Sequence, residues 1–339
     1  MKVSVKDIAQ AANVSPGSVS NALNNRKGIS DEKREHILKI ARQMGYFKSQ
    51  VEHKVIRLVM LKKEANILGD TPFFSELISG IEDGCSRFGY ELAINQMNVT
   101  SNLIKNIEDI LSPSKSSGVI VLGTELSLED LKLFQSTVTP MVILDAAYRN
   151  QEFDYVAINN VDAAYDITNH LISKGHKNIG LINSSKHINN FGERKIGFLQ
   201  ALYDSNLGFF PENEALVEPS LDGSYKDMKV YLQALIDDRG ELPTAYFAVN
   251  DNVAIGSLRA LKEMELSTIS VVGFDNIPMC EFSDPRLTTV DVNKKCMGVT
   301  TVARLVEKIE QKDVSTKKIL ISTTVVKRDS DMDIRLQAQ

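Results

Sequence analysis

Tryptophan is absent from this sequence, and cysteine occurs three times, at Cys85, Cys280 and Cys296, with no Cys-x-x-Cys pair. An odd, scattered set excludes a disulfide framework and a zinc site, fits a reducing cytoplasm, and leaves each cysteine as a small buried hydrophobe. No apolar run approaches the ~20 residues that cross a bilayer. The opening MKVSVKDIAQ carries charge but no apolar stretch of a secretory signal. Catalytic signatures are missing as well: there is no G-x-x-x-x-G-K-[ST], no H-E-x-x-H, no G-x-S-x-G, and no G-x-G-x-x-G after a strand. Together these gaps lead to the expectation of a cytoplasmic protein that is not an enzyme, with no catalytic residues, metal, cofactor or membrane partner.

What is present is 339 residues, enough for two or three domains with proper cores. The net charge of −5 is unevenly spread. Residues 1–57 hold eleven Lys/Arg against five Asp/Glu, leaving a +6 head on a −11 body. That asymmetry is expected where one end meets a polyanion, although a charge run alone is more often a solvated face.

The head supplies a motif. Ser4 and Asp7 have capping-box spacing, and Val5, Ile8, Ala9 and Ala12 recur at helical intervals. Ser15 caps a second helix with Pro16 at its first position, where the missing N–H costs nothing, and Val19, Ala22 and Leu23 face inward. Ser30 caps a third helix through DEKREHILKIARQM, with Gly45 at its left-handed end. Two short helices joined tightly and braced by a third make a helix-turn-helix, which points to DNA.

The run from Val3 to Tyr46 closely resembles the head of the lactose-repressor (LacI/GalR) family of bacterial transcription regulators. The shared pattern is V-S-x-x-S/T-V-S-x-x-L-N, followed by S-x-x-x-R-x-x-I…A…GY, in register over about forty-five residues. The resemblance implies base reading by Pro16, Gly17 and Asn21. It implies phosphate contact by Ser4, Ser18, Ser20, Asn24 and Ser30, roles that suit short hydroxyls and amides at helix starts. After Tyr46 the family continues with Pro, Asn, Ala, Ala and Leu, which fold into a hinge helix that wedges leucine into the minor groove. This chain has FKSQVEHKV instead, with no Pro after Tyr46 and no Leu at the wedging place. The leucine wedge is therefore not expected, and coupling is expected to run through dimer geometry.

From Val55 onward, apolar runs alternate with amphipathic stretches: VIRLVML, YELAINQ, GVIVLG, PMVILD, NIGLIN, TAYFAVN and ISVVGFD. This is the signature of βαβ units and parallel sheets. The resemblance implies an α/β body of two Rossmann-like lobes, as in type I periplasmic binding proteins, with three crossings near residues 158, 288 and 318. The expected domains are a head at 1–47, a linker at 48–55, a first lobe at 56–158 with 289–317, and a second at 159–288 with 318–330.

Ligands of open α/β sheets sit beyond the carboxyl ends of the strands. Asp145, Asn250, Asp251 and Asp275 end strands there, and Arg194 lies just inside a helix start. Each alone reads more often as a cap or turn. Together they match the family's effector pocket, with Phe73 and Phe74 covering one ligand face and Asn190 and Phe191 as weaker candidates. With no tryptophan to stack on a sugar, the phenylalanines would take that part. His176, before a strand, is expected to be structural.

The expected function is thus a ligand-responsive, sequence-specific DNA-binding regulator, a repressor of sugar-utilisation genes. Its expected partners are a pseudo-palindromic double-stranded operator, a sugar or sugar phosphate as effector, and a second copy in a homodimer. The tail KRDSDMDIRLQAQ lacks the heptads of a tetramerising coil. Two alternatives remain: a catabolite-control regulator with a phosphocarrier protein as co-repressor, and a sugar-binding receptor without regulatory role.

Overall fold

A computed structural model describes residues 3–23, 28–46, 54–63, 72–98, 107, 110–112, 115–135, 137–149, 151–239, 241–313 and 315–336. Asn24 and residues 48–53 of the expected linker lie outside these.

The head consists of α1 (Val5–Ala11), α2 (Pro16–Leu23) and α3 (Asp31–Gln43). Ser4 and Asp7 form a complete capping box, Ser15 Oγ accepts from the Ser18 N–H at 3.1 Å, and Ser30 accepts from Lys33. The inward residues Ile8, Ala9, Ala12, Val19, Ala22, Ile37 and Ala41 close into one small core with Tyr46. Gly45 ends α3 at φ +71°, the left-handed conformation that glycine takes without Cβ strain.

The body has two parallel sheets. The first has six strands in the order Lys318–Ile321 (β11), Tyr155–Ile158 (β5), Met141–Leu144 (β4), Gly118–Leu122 (β3), Val55–Lys62 (β1) and Glu91–Asn98 (β2). Its inner strands β3, β4 and β5 are buried at every position, as a parallel sheet covered on both faces requires. Pro72–Phe88 (α4) lies on this sheet, and the short helix Leu128–Leu131 (α5) follows β3.

The second sheet has four strands in the order Glu214–Val217 (β7), Ile179–Ser184 (β6), Ala245–Ala248 (β8) and Ser270–Val272 (β9). Asn160–Ser173 (α6) packs on Asn189–Asp204 (α7), and Leu221–Arg239 (α8) on Asp251–Glu263 (α9). The final long helix, Lys294–Ile309 (α10), returns to the first sheet and packs on α4.

The passages between the sheets differ from the expected ones in two places. Thr289–Asp291 (β10) pairs antiparallel with Thr324–Val326 (β12), and the bridges Val272↔Thr288 and Asp275↔Asp291 tie β10 to the second sheet. The chain therefore leaves that sheet after Asp291, not at 288. Strand β11 pairs parallel with β5, so residues 318–321 belong to the first sheet and the last passage follows Ile321. Strand β11 is a four-residue edge strand with one wet face, too short for a period to mark it, and the boundary at 318 falls early. Cys85 and Cys280 are buried, but Cys296 is exposed near the start of α10, against expectation. Among the described residues no helix is long and apolar enough to cross a membrane.

Candidate functional site

Two places hold the residues singled out from the sequence. At the head, Pro16 and Gly17 form the exposed first turn of α2, and a Cβ on Gly17 would meet nothing closer than Ser15 Oγ at 3.8 Å. Asn21, one turn on, is half-buried, with its amide nitrogen 3.5 Å from where a Gly28 Cβ would stand. Several hydroxyls are already engaged. Ser4 Oγ donates to Asp7 at 2.7 Å, Ser18 shares a 2.9 Å hydrogen bond with Ser15, and Ser30 Oγ accepts from the Lys33 N–H. Ser20 is half-buried, and Asn24 lies outside the described residues.

The second place is a cleft between the lobes, with about 470 Å³ of empty space when the open solvent at its mouth is included. Phe73, Phe74, Asp145, Asn190, Phe191, Arg194, Asn250 and Asp275 all line it. Phe73 and Phe74 open α4 and meet edge to face with centroids 5.0 Å apart. Asp145 follows β4 at φ +61° and accepts from Thr124 Oγ1 at 2.5 Å. Across the cleft Asn190 Nδ2 donates to the Asp145 carbonyl at 3.1 Å and to its Oδ1 at 3.2 Å. This bond joins the first lobe to the second.

Arg194 is 3% exposed because its neighbours at helical spacing on α7, Asn190, Phe191, Gly197 and Phe198, share one buried face. A buried guanidinium needs partners. Its Nε donates to Asn160 Oδ1 at 2.9 Å and its Nη1 to the Val249 carbonyl at 2.6 Å. The group lies 3.6 Å from the centroid of the Phe274 ring, and Nη2 stands 3.2 Å from Asp275 Oδ1. That carboxylate oxygen is buried and accepts no hydrogen bond from the described residues. Asn250 caps α9 by accepting from the Val253 N–H at 2.9 Å, so its side-chain oxygen has a structural task as well as a place on the wall.

Burial raises the carboxyl pKa values here. Asp145 is pushed up to about 7 by loss of water and by the charge of Asp275, against the pull of Thr124, Arg194 and Asn190. Asp275 is also raised by burial, against Arg194 and Lys294.

Asp251, read from the sequence as a strand-end residue, also lines the cleft, and four lining residues were not singled out: Thr124, Ile188, Asn252 and Ile277. Thr124 carried the same signal as Asp251, since it is polar and lies just past an apolar strand. Asp251 accepts from the Ile277 N–H at 2.9 Å and from Thr289 Oγ1 at 2.5 Å, and burial raises it to about 7. A Cβ on Gly273 would overlap its carboxylate, so the glycine keeps that space open. Ile188 and Ile277 are loop apolar residues without a distinguishing pattern.

The loop bearing Asp275 is held from behind. Asp275 and Asn276 have φ of +110° and +51°. Lys294, 2% exposed, donates from Nζ to their carbonyls at 2.7 and 3.3 Å, and Arg328 Nη2 donates to Asn276 Oδ1 at 2.8 Å. His176 is away from the cleft. Its ring bonds Thr244 Oγ1 at 2.9 Å and the Met332 carbonyl at 3.0 Å, and burial lowers its pKa. Among the described residues no group of three His, Cys, Asp or Glu side chains could hold a metal ion.

The family model described as bacterial regulatory proteins, lacI family, matches residues 4–49, and a periplasmic binding protein-like domain matches residues 168–330. The HTH-type transcriptional repressor PurR of Histophilus somni (strain 2336) is 31% identical over 334 residues, spanning 96% of this chain and 98% of that protein. Two solved structures have the same fold at 20% identity. A cellobiose complex of the transcriptional regulator CelR has a TM-score of 0.73 over 97% of this chain and 100% of the other. The lac repressor dimer bound to operator and the anti-inducer ONPF has a TM-score of 0.71 over 98% and 100%.

Proposed function

The chain belongs to the lacI family of bacterial regulatory proteins and is a ligand-responsive DNA-binding transcriptional repressor, and from that premise we propose that a sugar-like effector occupies the cleft between the lobes. Two copies would place their heads on the halves of a pseudo-palindrome, and the effector would alter lobe closure and so the spacing of the heads. The protein acts by binding rather than by catalysis.

The observation that carries this reading is the convergence on one space of the Asp275 carboxylate, the fixed Arg194 guanidinium paired with it and two phenylalanine rings. Ring hydroxyls are both donors and acceptors and the sugar's carbon face is apolar, so such a ligand uses all three. Solved relatives with the same fold carry cellobiose and ONPF. At the head, base discrimination rests mainly on Asn21. Pro16 offers apolar contact and Gly17 close approach, with Ser4, Ser18, Ser20, Asn24 and Ser30 assigned to phosphate.

A thermal-shift screen of sugars tests the cleft. A binding sugar raises the melting temperature of the wild type and not of Arg194→Ala. Equal stabilisation of both proteins would place the effector elsewhere.

A further inference from the structure

The charges facing the cleft are unbalanced. Asp145 comes from the first lobe, Asp251 and Asp275 from the second, and Arg194 is the one cation among the described lining residues. Arg194 is already committed to Asn160, the Val249 carbonyl and Asp275. Lys294 sits behind the wall with its ammonium on the Asp275 and Asn276 carbonyls, and Glu76 at 3.5 Å and Asp291 at 3.9 Å offset its charge. A phosphate ester would bring about two negative charges into this space. Above pH 7, where Asp145 and Asp251 carry their charge, it would meet these carboxylates at close range, with little water to screen them. A hydroxyl or an ammonium group, by contrast, finds carboxylate acceptors in Asp145 and Asp275 on the cleft wall.

We infer that the cleft selects effectors that are uncharged or cationic and rich in hydrogen-bond donors, and rejects their phosphate esters, with Asp145, Asp251 and Asp275 setting that selection. The inference rests on the cleft being the effector site. It narrows the effector to the unphosphorylated form of a polyhydroxy compound, so a phosphorylating reaction acting on such an effector would remove its signal.

The test reads the charge directly and needs no effector. Asn252, half-exposed on the cleft wall, is replaced by cysteine in a Cys296→Ser background, with Val230→Cys on the exposed surface of α8 as control. Both thiols are modified at pH 8 with methanethiosulfonates bearing trimethylammonium or sulfonate. After normalisation to the control, the cationic reagent should modify the cleft thiol about tenfold faster or more. Equal rates, or a faster anionic reagent, overturn the inference while leaving the cleft as the effector site. A second arm compares neutral sugars with their phosphate esters by thermal shift. Stabilisation by the neutral member of a pair alone supports the inference. An ester that stabilises the wild type but not Arg194→Ala overturns it. If a neutral sugar stabilises both proteins equally, the cleft reading fails instead, and the thiol rates still report the charge.

Discussion

Asp145 illustrates how burial and partners contend at one residue. Losing water raises its pKa to about 7, although Thr124, Asn190 and Arg194 all favour the ion. A carboxyl raised above its unfolded value binds its proton more tightly in the folded state. The stability this contributes is full below about pH 4 and is lost as pH rises through about 7. Asp145→Asn cannot ionise. Its melting temperature should therefore gain on the wild type between pH 5 and pH 8, and a constant difference across that range would show Asp145 to be unperturbed. Asn21 carries the other residue-scale prediction. An amide pairs with adenine in the major groove, where a good contact contributes about 1–3 kcal/mol of discrimination. Asn21→Ala should relax one base position per half-site in a binding-site selection, and an unchanged preferred sequence would reassign the readout. The residues around the cleft were readable because polar groups past buried strands stand out. Ile188 and Ile277 did not, because an apolar loop residue looks the same whether it lines a cleft or a core.

Helical elements were more legible than strands. Alternation at 3.6 residues and clear caps at Ser4, Ser15 and Ser30 define the head in the sequence alone. Strands β5 and β7 are four residues each, too short for a period to emerge, and β11 shows one wet face at the sheet edge. Tertiary pairing, not local pattern, makes them strands. Helix contacts were also invisible in the sequence. Helices α4 and α10 meet at Gly80 and Gly298, where a Cβ on Gly298 would stand 2.6 Å from the Ile81 nitrogen and the Leu77 carbonyl. Backbone atoms cannot swing aside as a side chain can. Gly298→Val should lower stability by about 1–3 kcal/mol or more in urea unfolding, and an unchanged midpoint would mean that the two helices are not so closely apposed.

For the whole molecule, the charge segregation seen in the sequence fits two separate tasks, a basic head for DNA and, as proposed, a cleft with three acidic side chains for a small ligand. What joins them was not readable, because it depends on contacts far apart in sequence. Asn190 bridges to Asp145 across the lobes, while Lys294 and Arg328 tie the Asp275 loop to the passages between the sheets. A ligand bound as proposed between Asp145 and Asp275 would therefore act on groups already attached to both lobes, and its differential affinity for open and closed lobes would be the free energy available to shift operator binding. The decisive measurement is operator affinity by fluorescence anisotropy, on a duplex chosen by selection, across a panel of neutral sugars for wild type and Arg194→Ala. The account predicts that at least one sugar changes wild-type affinity by about fivefold or more and that the variant binds the operator but ignores every sugar. A panel without effect on the wild type, or a response that survives in Arg194→Ala, would contradict it.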